Sequence, residues 1–343
     1  MAMEVINQPA TGCRNTSRMI LPFLVRKGFG LLLLLLAVSG ISFLLVHFSP
    51  IDPVQAYIGA DMLKVSAEQR EAIMRYWGLN DPPLIRYWNW LRALCSGDLG
   101  TSMIYRRPVL EAIGERFAAS LALMGIAWLL SGVIGFTAGV VAAMNRNRWI
   151  DKLVRWYCYL LSSMPTFWLG LLLMLVFSVW LGWLPVGLAA PAGITADQVH
   201  GMDRVRHLVL PALTLSVTGI ASIALHSREK LLDVMDRDYW LFARARGESG
   251  FTIFRRHGLR NMALPAISLQ FASFSELFGG AVLAEQVFSY PGLGKAAIEA
   301  GLRGDIPLLL GVVLFSAAFV YTGNALADFS YRLIDPGWKA GER

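Results

Sequence analysis

Six stretches of this chain are apolar over lengths that suit a bilayer: Gly28 to Phe48, Phe117 to Ala143, Leu153 to Leu181, Leu208 to Leu225, Leu264 to Phe288 and Ile306 to Tyr331. About 20 apolar residues in an α-helix cross roughly 30 Å of hydrocarbon. Inside hydrocarbon every backbone donor and acceptor must be met within the segment, a condition that helices satisfy. With 55% hydrophobic and 16% charged residues and a mean hydropathy of +0.51, the chain is too apolar for an ordinary water-soluble domain. The expected fold is an all-α integral membrane protein of six transmembrane helices.

The sorting of Lys and Arg predicts its orientation. Residues 1–27 carry Arg14, Arg18, Arg26 and Lys27 as a cytosolic tail. The first helix, residues 28–49, has no small-x-small cleavage site close behind it and reads as an uncleaved signal anchor. Residues 50–116 read as an external insert, with turns at Asp52-Pro53, Asp81-Pro82-Pro83 and Gly97-Asp98 and a helix opened by Ser66. Residues 117–332 form a five-helix core with a cytosolic loop at 227–263, and 333–343 a cytosolic tail. On this topology the external segments hold twelve basic and twelve acidic residues, so the whole surplus of seven lies on the cytosolic side or in the membrane. Anionic lipid is the partner such a surplus attracts. No nucleic-acid recognition fold or aromatic-interleaved basic stripe accompanies it, so no nucleic-acid partner is expected.

Little in the sequence suggests covalent chemistry. Tyr290 to Ala296 comes nearest to a phosphate loop, but the motif needs Gly where Ser289 stands and Ser or Thr where Ala296 stands. His47, His200, His207, His226 and His257 sit singly, without a nucleophile or metal motif beside them. Cys13, Cys95 and Cys158 lack the paired spacing of a zinc site. The expectation is no enzyme, no cofactor and no metal centre. Two acids lie inside the fifth apolar run, where a carboxylate normally faces a cavity or a partner. Glu276 reads either as a pathway residue holding a cationic amine or metal complex, or as a helix-helix or subunit-subunit hydrogen bond; for Glu285 the second reading is favoured. Their nine-residue spacing is two and a half turns, placing them on different faces. Pro165 and Pro211 interrupt the helical hydrogen-bond ladder, and Pro165 is a candidate pathway or gating element. Gly132, Gly135 and Gly139 share a small-residue face suited to tight helix packing.

An arginine-dense polar island runs from Asp238 to Pro265 between two apolar runs. It reads as two short helices joined at Gly247 to Gly250. Gly247 is suited to the left-handed conformation that ends a helix, Ser249 can cap the next one, and Ala243 and Ala245 leave room for close approach. Tyr239, Trp240, Phe242, Phe251 and Phe254 among the arginines need covering, by a soluble partner or by the bilayer interface.

Ala243-Arg244-Ala245-Arg246-Gly247, then nine residues, His257, Leu259-Arg260-Asn261 and Leu264-Pro265 resemble the coupling loop of ABC-transporter permeases, closest to the dipeptide, oligopeptide and nickel import family. The loop departs from the general permease pattern, which begins Glu-Ala-Ala and has a shorter gap to Leu-Pro, as that subgroup does. Ser49-Pro50-Ile51-Asp52-Pro53, Gly78-Leu79-Asn80-Asp81-Pro82-Pro83, Gly97-Asp98-Leu99-Gly100, Pro165-Thr166-Phe167-Trp168 and Leu210-Pro211-Ala212 resemble the same family. The sharpest match is Glu285, Phe288, Pro291, Gly292 and Gly294, followed by Asp305-Ile306-Pro307. The resemblance implies a fold of the type I ABC importer kind, in which a second permease subunit completes the pathway. Two ABC ATPase subunits drive it, and an external solute-binding protein delivers peptides or nickel or metallophore complexes. It further implies that Ala243, Arg244, Ala245, Gly247, Glu248, Ser249, Gly250 and Phe254 couple to an ATPase. The competing class is an ion-coupled secondary carrier using Glu276 or Glu285, which inverted repeats with interrupted helices would mark.

Overall fold

Four of the apolar runs lie in unbroken helices, and two fold as bent pairs. The computed structural model describes residues 16–48, 66–76, 81–191 and 200–334. The unbroken helices are α1 (Thr16–His47), α4 (Val109–Met144), α7 (Gly201–Met235) and α13 (Ile306–Ile334). Between α1 and α4 come the short helices α2 (Ala67–Tyr76) and α3 (Pro83–Cys95). The bent pairs are α5 (Trp149–Ser162) with α6 (Thr166–Met174), and α10 (Leu259–Ala272) with α11 (Phe274–Val287). The loop helices are α8 (Asp238–Ala245) and α9 (Gly250–Ile253), and α12 (Leu293–Arg303) precedes α13. Among the described residues, strand pairing is limited to one isolated bridge, Thr101 to Pro108.

Each bend lies within one of the six expected spans. The third run turns by 106° between α5 and α6, where Pro165 adopts an extended ψ of 136° and so leads into α6 without continuing α5. The π-helical turn Leu175–Trp180 then carries the second half onward. The fifth run bends by 49° at Ser273. Its proline, Pro265, lies inside α10, away from the bend. Pro211 likewise lies inside α7, which passes through it. α1 begins twelve residues before the expected span and α4 eight residues before its own, so the last residues of the expected tail and insert are helical. Ser49 to Pro53, Gly78 to Asn80 and the C-terminal tail beyond residue 334 lie outside the described residues.

α4 and α7 run parallel and in close contact at the centre. A Cβ on Gly135 would come within 2.9 Å of the Ile220 carbonyl oxygen, and one on Gly139 within 2.5 Å of that of Ala224. One on Gly219 would meet Ser131 at 2.8 Å, so three missing side chains permit the approach. Gly132 differs from its neighbours in facing the Gln270 side chain on α10. α1 lies along α13, held by the Lys27–Asp328 ion pair at 2.5 Å and by Phe23 stacked on Phe329. Its other side exposes Leu24, Phe29, Leu33 and Leu45, which in a bilayer are covered by lipid.

Candidate functional site

At 1.5 Å per residue, the 36 residues of α4 span about 54 Å. Each end belongs to a different cluster. Val109, Ala112 and Ile113 pack with Leu293, Ala300 and Leu308, whereas Ala143 packs with Leu231, Trp240, Ile253 and Met262.

The first end is a clasp made by two buried carboxylates. Glu285, near the end of α11, is 1% exposed. It accepts the Ser120 hydroxyl at 2.5 Å and the backbone N–H groups of Gly294 and Lys295 at 2.8 and 3.1 Å. Ser120 in turn accepts the Leu293 N–H at 2.7 Å. The free donors at the start of α12 are thus met by side chains from α4 and α11. Asp305 does the same for α13: it accepts the Leu308 N–H at 3.2 Å, and also the Ser102 hydroxyl at 2.6 Å and the Ile104 N–H at 2.9 Å. The insert is thereby tied to the last span, and the Tyr105 hydroxyl adds a bond to Glu299 at 3.0 Å. Burial, the largest cause, pushes the Tyr105 phenol above its ordinary range.

This geometry explains the glycines and the failed phosphate loop. A Cβ on Gly292 would lie 2.0–2.3 Å from the Glu285 carboxyl group, and one on Gly294 would meet Val282 at 2.6–2.8 Å. Pro291 begins the turn into α12. Where a phosphate loop would offer its amides to nucleotide, these amides are taken by the protein's own carboxylate.

The second end carries the arginine-dense island. α8 ends at Ala245, Gly247 has φ +82°, and Ser249 accepts the Thr252 N–H at 3.3 Å as the cap of α9. The chain then passes through the π-helical turn Phe254–Gly258 into α10. The candidate coupling residues divide by exposure. Ala243 and Phe254, at 3% and 9%, point into the bundle with Trp240 and Ile253, so burial against Leu231 and Met262 keeps their side chains from an outside partner. Arg244, Ala245, Gly247, Ser249 and Gly250 are exposed, and Phe242 and Phe251 flank them at 66% and 68%. Glu248 is half-buried and pairs with Arg246 and, at 3.5 Å, with Arg256. Arg246, with Arg256 and His257 beyond it, holds the Glu248 carboxyl below the usual carboxylate range.

The acids of the bent fifth run face different surroundings. Glu285 lies in the clasp, whereas Glu276, in the first turn of α11, is exposed beside a small cavity. Pro165 stands at the other bend, with no part in either cluster.

Two polar groups went unnoticed in the sequence. Asp151, fully buried at the start of α5, receives the Arg228 guanidinium of α7 at 2.5 and 2.9 Å, the Arg155 side chain at 3.4 Å and the Asn147 N–H at 3.0 Å. Gln270 of α10 donates to the Trp128 carbonyl oxygen at 2.6 Å and to Ser131 at 3.2 Å. In the sequence Asp151 stands among Arg146, Arg148 and Lys152, and its position in the first turn of a helix is the signal that was available.

Residues 135–340 match the family described as "Binding-protein-dependent transport system inner membrane component", and residues 20–124 match its N-terminal companion, "Binding-prot-dependent transport system membrane comp, N-term". The chain is 33% identical over 317 residues to the oligopeptide transport system permease protein AppB of Bacillus subtilis (strain 168). It is 34% identical over 318 residues to the glutathione transport system permease protein GsiC of Escherichia coli (strain K12) and, to the same extent, to that of Salmonella typhimurium. In each case 92% of this chain aligns with 98% of the relative.

Proposed function

The chain belongs to the binding-protein-dependent transport system inner membrane component family, the permease subunits of ABC importers, and from that premise we propose what it carries and how it is driven. It is a multi-pass inner-membrane transport subunit, not an enzyme, and works with ATPase and solute-binding partners. Its proposed cargo is a peptide, on the strength of relatives named for oligopeptides and for glutathione. A nickel or metallophore complex, the family's other expected cargo, lacks that support. A second permease and two ATPases complete the proposed assembly. The proposed orientation puts both termini and the 227–263 loop in the cytosol and the insert outside, to receive the binding protein; the placement of the basic surplus supports it. The self-sufficient carrier is not favoured by the family assignment.

The observation that carries the coupling role is a loop with a buried root and an exposed tip. Trp240, Ala243, Ile253 and Phe254 fix it to the ends of α4 and α7, while Phe242, Arg244, Gly247 and Phe251 face outward. A displacement imposed on the tip by an ATPase passes to α4 and α7 because a packed cluster moves as a unit. The bends at Pro165 and Ser273 are the proposed flexing points of the pathway that Glu276 borders.

Gly247→Asp tests this reading. The site is open, with nothing within 4 Å of an added Cβ, so the cost there is the left-handed backbone, about 1 kcal/mol. The variant is expected to insert normally and to lose ATP-driven uptake and co-purification of the ATPase. Undiminished co-purification would remove the coupling role from this loop.

A further inference from the structure

We propose that Glu276 and the hydroxyl groups facing it form a subsite for a primary ammonium group, the free amino terminus of a peptide in transit; this rests on the peptide reading above. A cavity of about 60 Å³ lies where α4, α7, α10 and α11 meet. Ser131, Thr218, Ser222 and Ser273 line it beside Glu276, over an apolar base that includes Leu277. No basic side chain is among the described lining residues. Glu276 has neither a hydrogen bond nor an ion pair among the described residues, in contrast to Glu285, whose carboxylate is fully engaged. A carboxylate in a membrane span without a protein partner calls for one from the cavity it borders.

The shape and chemistry of the cavity select the cation. A divalent metal ion would find only one acid among the described lining residues, which is poor ligation. A guanidinium wants two coplanar acceptors in a fork. An ammonium carries three donors around one centre, which one carboxylate and neighbouring hydroxyls can accept. The cavity holds an ammonium head but has little room for the side chain behind it, so the group it recognises is one that peptides share whatever their sequence.

The test uses the assembled importer in nanodiscs with its native cysteines replaced and one reporter, Ser222→Cys, with Thr218→Cys as a second reporter should the first disturb folding. With Glu276 present, the ratio of the reporter's rates with a cationic methanethiosulfonate (ethylammonium) and with the anionic ethylsulfonate is expected to exceed that of free cysteine about tenfold, the preference a nearby charge adds. Trialanine and ethylammonium should both slow the cationic reaction, and N-acetyl-trialanine should not. Glu276→Gln should abolish both the preference and the protection. A rate ratio no higher than that of free cysteine, an added preference that survives Glu276→Gln, equal protection by acetylated and free trialanine, or no reaction at either reporter would each overturn the proposal. Protection by ethylammonium without protection by trialanine would keep a cation site and overturn its assignment to peptides, together with the peptide reading.

Discussion

The two ends of α4 handle carboxylates in opposite ways. At the clasp, Glu285 and Asp305 are withdrawn from solvent at 1% and 0% exposure, and the bonds they accept come from serine hydroxyls, helix-terminal amides and the Ile104 amide of the insert. At the loop, Glu248 pairs with two arginines near the surface, and the aromatic residues beside it stand uncovered. Buried, satisfied polar groups rigidify and specify a unique arrangement, whereas exposed pairs contribute little to stability and exchange partners readily. The difference suits a bundle with a fixed end and an end that is handled by something else.

The sharpest challenge to that contrast is Asp151, because it places a buried ion pair near the loop end, where α5 meets α7. Asp151→Ala would leave the Arg228 charge without its partner, a loss of about 3–5 kcal/mol. Thermal unfolding of the purified chain should show it as a lower Tm. A Tm close to wild type would mean that this end depends on no buried charge, and the contrast would become stronger.

Gly292→Ala probes the clasp by steric force alone, since the backbone there, at φ −94°, is open to any residue. Its Cβ must displace the Glu285 carboxyl group, an overpacking that costs about 1–3 kcal/mol. Reduced accumulation in the membrane, with part of the stability regained in Gly292→Ala combined with Glu285→Ala, is the expected result.

Phe251→Ala works at the other end, removing an exposed ring whose neighbour in the bundle is the Phe254 ring, 6.4 Å away between centroids. The change in stability should stay within about 0.5 kcal/mol, while association with the ATPase falls. Matched losses in both measurements would show that the tip serves the fold.

The smallest effect concerns pH. The Glu248 carboxyl is held below its ordinary range in the folded chain, so its contribution is present above the unfolded carboxylate range and is lost as pH falls through the folded value. Solvent screening keeps that contribution small. Limited proteolysis of the loop should therefore quicken on acidification, and Glu248→Gln should remove most of the pH dependence.

Much of the fold was legible because hydrocarbon length is a property of runs, and single residues matter little to it. The capping of α2 by Ser66, which bonds Gln69 in both directions at 3.0 and 3.2 Å, was legible for a local reason as well. So were the backbone at Gly247 and the cap at Ser249, each set within four residues. The division among the aromatic residues was hidden: Trp240 and Phe254 are covered by the bundle while Phe242 and Phe251 are not, although all four sit among the same arginines. Which face a short helix buries depends on what it meets, and here the partners are Leu231 and Ala143, respectively nine and nearly a hundred residues before Trp240.

The amino-acid sequence by itself determined that this chain is a helical membrane protein, how many apolar segments it offers, and where one polar island interrupts them. These follow from the cost of polar backbone in hydrocarbon, which acts segment by segment. Only the tertiary structure decided that two segments bend, that Ser120 and Glu285 close α12 from 173 and 8 residues before Leu293, and that Glu276 is left facing a hydroxyl-lined cavity. Hydrogen bonds between distant residues depend on where packing brings helix ends together, and no short window of residues contains that information.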